Sequence, residues 1–112
     1  MEEKILDTIK EMLGIVVTDN SFDNELLSFI NASVSELWQI GVGPGDGFSV
    51  DSNSVWSDFV TDPIVMAEAR QFVFCKTKLV FDPPGNSFIC DGLEKTKDEA
   101  YWRLYIMVDE EE

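Results

Sequence analysis

Apolar residues recur at three- and four-residue spacing in four long stretches of this chain, separated by glycine, proline and small polar residues. That spacing lines one face of a helix, so the pattern predicts an all-α protein. The first stretch, residues 2–13, sets Ile5, Leu6, Ile9, Met12 and Leu13 on one side. Glu2 and Glu3 stand where negative charge favours a helix N-terminus, and Gly14 stands where a helix stops. The second, about residues 22–40, carries the stripe Leu26, Ile30, Val34, Leu37 and Trp38, which assigns Trp38 to the core. Thr18 to Ser21 supply N-caps for it, with Asp23 three residues after Asn20 in a weak relative of the capping box.

Residues 41–47 hold four glycines and a proline, so no regular element persists there. A phosphate-binding loop would continue with Lys and Ser or Thr; Phe48 and Ser49 follow instead. Ser52, Asn53 or Ser54 can cap a short helix over residues 55–60, with Trp56, Phe59 and Val60 on its apolar face. Asp62-Pro63 is the best start signal in the chain, a capping carboxylate followed by proline at the first helical position. The helix it opens, residues 63–81, has one stripe through Val65, Ala69, Phe72, Cys75 and Leu79 and a second through Met66, Val73 and Val80. An apolar arc that wide belongs to a central helix touching several neighbours or another subunit.

Asp82-Pro83-Pro84-Gly85 ends that helix, because proline biases the preceding residue out of the α region and donates no backbone hydrogen bond. Asn86 or Ser87 then caps a last helix with Ile89, Leu93, Thr96, Ala100, Leu104 and Met107 along one side. Gly92 costs it about 1 kcal/mol relative to alanine, so an irregular first turn is expected, and residues 101–108 are also strand-prone. The expected architecture is a small bundle of about four helices with the glycine-rich loop between the second and third main ones. Residues 1–108 form one domain and residues 109–112 a frayed acidic tail.

The net charge of −14 sits on a chain that is 45% hydrophobic, which is a packed protein and not a disordered one. Between Glu11 and Ala69 there are ten acids and no Lys or Arg, so a basic nucleic-acid-binding patch is excluded from that half. On sequence alone such acidity is first of all that of an ordinary soluble protein, and it bears on function only together with an architecture. Cys75 and Cys90 lack metal-binding or redox spacing and read as reduced, buried residues in a cytosolic setting, a disulfide between them being the lesser alternative. No apolar run is long enough to span a bilayer.

With no histidine, the Ser-His-Asp and Cys-His systems and His-based zinc sites are excluded. Asp46, Asp51 and Asp58 lie in or near the glycine-rich loop without EF-hand spacing. No catalytic, metal or cofactor site is expected, and no enzyme.

The sequence as a whole resembles the head-tail connector proteins of tailed bacteriophages. The resemblance rests on the acidic Asn-Ser-Phe-Asp-Asn-Glu-Leu-Leu run (20–27), Ile30-Asn31-Ala32, the Gly-Val-Gly loop (41–43), Leu79-Val80-Phe81-Asp82-Pro83-Pro84, and Tyr101-Trp102-Arg103-Leu104. It spans residues 5–104, and residues 105–112 depart from the pattern. It implies a structural virion protein: a helical adaptor, made in the bacterial cytoplasm, in a homo-oligomeric, dodecameric ring at the head-tail junction. Its partners would be the portal protein and a tail-side connector or terminator, with double-stranded DNA passing through unbound. On that resemblance Phe72, Phe74, Phe81, Trp102 and Arg103 are interface candidates, with packing the favoured role for Trp102. Asp46, Asp51 and Asp58 are candidate lumen-facing acids, and Asp82, Pro83 and Pro84 set the corner between two helices. Two other classes remain open: an acidic DNA mimic that binds a host nucleic-acid-processing protein, and a small carboxylate hydrolase.

Overall fold

The computed structural model describes residues 3–111, with side chains through residue 108; Glu2 and the side chains of the acidic tail lie outside the described residues. Five helices follow one another: α1 (Ile5–Leu13), α2 (Asp23–Gln39), α3 (Trp56–Phe59), α4 (Pro63–Phe81) and α5 (Ser87–Glu111). Among the described residues there is no strand, and the protein is all-α. Lys4 and Val55 form one isolated antiparallel bridge, so the chain ahead of α1 is extended where a helix was expected.

The central position of α4 follows from its broad apolar arc. It contacts α1, α2 and α5, and its Ala69, Phe72, Val73 and Cys75 are buried. Around it gather Ile5, Leu6 and Ile9 of α1, Leu26, Ile30, Val34 and Leu37 of α2, Trp56 and Phe59 of α3, and Ala100 and Leu104 of α5. Asp62 caps α4 by accepting hydrogen bonds from Ile64 N at 2.8 Å and Val65 N at 3.3 Å. Asp82 closes its other end, where the carboxylate meets Lys78 Nζ at 2.7 Å and the backbone N–H donates to Lys78 O. The two prolines then turn the chain, and Asn86 accepts from Phe88 N at 2.8 Å to start α5 antiparallel to α4. That helix continues unbroken through Gly92 and the strand-prone residues 101–108.

Polar side chains, not the apolar pattern, hold the connections. Lys10 is 1% exposed, and its ammonium donates to Val17 O at 2.8 Å and meets Asp23 Oδ1 at 2.9 Å, tying the α1–α2 connection to both helices. Phe22 stands at the N-cap of α2 and supplies no side-chain cap, and Asp19 closes a turn on Ser21 N and Oγ. Asn31 clamps the long α2–α3 connection: its Oδ1 accepts from Val50 N at 2.7 Å and its Nδ2 donates to Val50 O at 3.0 Å. Trp38 is 41% exposed, contrary to its expected place in the core, and its indole N–H donates to Pro44 O at 2.9 Å. Gly41 and Gly43 have positive φ, and a Cβ on Gly43 would stand 2.6 Å from the Phe59 ring, so the loop lies directly on α3.

Cys75 and Cys90 are both free thiols. Burial pushes the Cys75 thiol above its ordinary value. Cys90 is only half-buried, and its thiol donates to Pro84 O at 3.2 Å.

Candidate interaction surfaces

The residues singled out in the sequence fall into three separate places. Phe72 is 2% exposed and lies against Tyr101 at 5.7 Å, so its ring fills the chain's own core and contributes no outer surface. Phe74 and Phe81 are half-buried, and Phe81 meets Phe22 edge-on at 5.3 Å. Trp102 is 60% exposed on the outer side of α5, outside the core, and its packing within the chain is a stack on Tyr105 at 5.7 Å. Beside it, Arg103 reaches Glu68 at 3.5 Å and Glu99 at 3.7 Å.

The stacked pair belongs to a larger apolar face missed by the sequence reading. Ile106, one turn beyond Trp102, and Ile64, on the first turn of α4, are also exposed. Ile64, Ile106, Met107, Glu68 and Arg103 enclose a shallow depression of about 270 Å³ whose walls are almost entirely apolar. The missed signal was an excess: α5 has apolar residues on more of its circumference than its neighbours cover.

A second, larger groove of about 430 Å³ adjoins it, sharing Met107. The 41–44 loop and the segment from Ser57 to Asp62 form its walls. Its charged lining residues are Asp58 and Asp62.

The three loop acids are all exposed, but they differ in what they do. Asp51 accepts from Asn53 N at 2.8 Å and Ser54 Oγ at 3.2 Å, hydrogen bonds that hold its carboxyl below the usual carboxylate range. Asp58 accepts from Val55 N at 3.2 Å at the start of α3. Asp46 has no hydrogen bond or ion pair among the described residues. Asp82, Pro83 and Pro84 stand at the α4–α5 corner. No group of three or more Cys, Asp or Glu among the described residues could hold a metal ion, and no described helix is long and apolar enough to cross a membrane.

The chain is thus an all-α bundle with a polar-clamped loop and exposed apolar side chains on α5 and the start of α4. The phage connector protein family matches residues 5–111, nearly the whole chain, and the chain belongs to that family. It is a family of structural components of phage particles. No curated protein matches the chain, and no solved structure does.

Proposed function

We propose that the chain is the head-tail adaptor of a tailed phage, assembled as a ring of twelve beneath the portal, joining the capsid to the tail and lining the DNA channel. The observation that carries this reading is the uncovered apolar face of Trp102, Tyr105, Ile106 and Ile64, on a member of a connector family. Exposed apolar side chains gathered on one face mark a surface that a partner covers. The ring is what the family resemblance implies, formed by a heterologous contact elsewhere on the chain repeated around a closed circle, while the apolar face is left to a further partner. The acid-only segment from Glu11 to Ala69, with Asp46, Asp51 and Asp58 exposed on it, suits a wall past which phosphate slides without sticking.

Electron microscopy of the chain mixed with its portal tests the proposal. Rings stacked coaxially on portal particles are expected, and the chain should co-purify with virions. Its absence from purified virions would overturn the reading. A monomer or dimer that instead captures a basic host protein in a salt-dependent way would point to the DNA mimic.

A further inference from the structure

The charged residues around the apolar face of α5 and the groove beside it are mainly acidic, four carboxylates to one guanidinium. Glu68 and Glu99 flank it, Asp58 and Asp62 line the adjoining groove, and the one cation among them, Arg103, is already held by Glu68 and Glu99. A partner that covers this face must bring apolar side chains to Ile64, Trp102 and Ile106 and positive charge to the rim. A second copy of the chain meets that requirement poorly. Its net charge is −14, and six of its basic residues, Lys10, Arg70, Lys76, Lys78, Lys97 and Arg103, are engaged in ion pairs of their own.

We infer that the Ile64–Trp102–Ile106 face receives a cationic amphipathic segment of a different particle protein, and is not the contact between copies of this chain. The inference rests on the chain being a particle component and names the partner chemistry of one of its faces. The incoming segment carries Lys or Arg beside an apolar stripe, its apolar residues seated in the depression between α4 and α5 and its cations against Glu68, Glu99, Asp58 and Asp62. Charge complementarity of this kind sets partner choice as well as association rate.

The test is photocrosslinking in assembled particles with the full chain carrying Tyr105→p-benzoylphenylalanine, an aromatic exchange at an exposed position. The expected adduct is with another particle protein, on a Lys- or Arg-bearing peptide. Its yield should fall several-fold when Glu68→Gln and Glu99→Gln are added, and again when assembly is carried out at 1 M instead of about 0.1 M salt, where the screening length drops from about 10 to 3 Å. An adduct with a second copy of this chain, an adduct with an acidic peptide, or no adduct in particles that contain the chain overturns the inference and leaves the connector reading standing. Particles lacking the chain overturn both.

Discussion

Lys10 is the residue on which the apolar pattern and the structure diverge most. A lysine within a helix reads as surface, yet this one is buried because its stem packs in the core while its ammonium reaches Val17 O and Asp23 thirteen residues away. Only tertiary folding creates that proximity, so no local rule finds it. The same holds for Asn31, which bonds both backbone groups of Val50 across nineteen residues. Lys10→Met keeps the apolar stem and removes the charge, leaving the Asp23 carboxylate unpaired. It should cost roughly 1–3 kcal/mol, read as a lower urea midpoint with an unchanged slope. An unchanged midpoint would show that the clamp contributes nothing.

Asp19 and Asp51 bear on acid stability. Each accepts hydrogen bonds that favour the ionised form, Asp19 from the Ser21 hydroxyl and backbone and Asp51 from Asn53 N and Ser54, so both folded values lie below the unfolded one of about 3.9. Their contribution is therefore complete above that unfolded value and lost as pH falls through the folded one. Asp51→Ala should flatten the loss of stability below about pH 4 while leaving its pH dependence near neutrality unchanged. An acid limb identical to that of the parent protein would contradict the assignment.

At the scale of elements, α4 was legible from end to end, because Asp62-Pro63 and Asp82-Pro83 are local chemical signals acting within a turn of the helix they bound. Trp38 was misread for an instructive reason: helical spacing identifies the direction of a side chain but not what lies in that direction. Here it points to the glycine-rich loop, whose Pro44 carbonyl takes the indole proton. A loop glycine and a helix glycine have opposite expected behaviour. Gly43→Ala combines a φ of +108° with a Cβ 2.6 Å from Phe59 and should destabilise by about 1–3 kcal/mol. Gly92→Ala meets nothing within 4 Å, sits inside a continuous helix and should stabilise by about 0.5–1 kcal/mol. Thermal melts of the two variants check the pair, and a gain from the first or a loss from the second would contradict the backbone described.

At the scale of the whole molecule, the bundle and its connector family were readable because helix periodicity, caps and breakers all act locally and agree. What covers the α5 face was not readable, since that depends on which of the apolar directions around α5 its own chain fills: Leu104 is filled and Ile106 is not. The charge asymmetry, by contrast, is a property of the entire chain, and on the ring reading its use is to keep DNA moving. Asp46 is the cleanest place to test it. Asp51 and Asp58 also hold backbone N–H groups, so replacing them alters the fold of the loop as well as its charge, whereas Asp46 holds none among the described residues. Asp46→Lys changes each subunit by two charges and, in a ring of twelve, puts twelve cations where phosphate would pass. Virions should still assemble, because Asp46 is exposed, but DNA ejection triggered in vitro should slow several-fold at low salt and recover towards the parent rate as salt screens the new contacts. Ejection at the parent rate at every salt concentration would remove Asp46 from the channel wall.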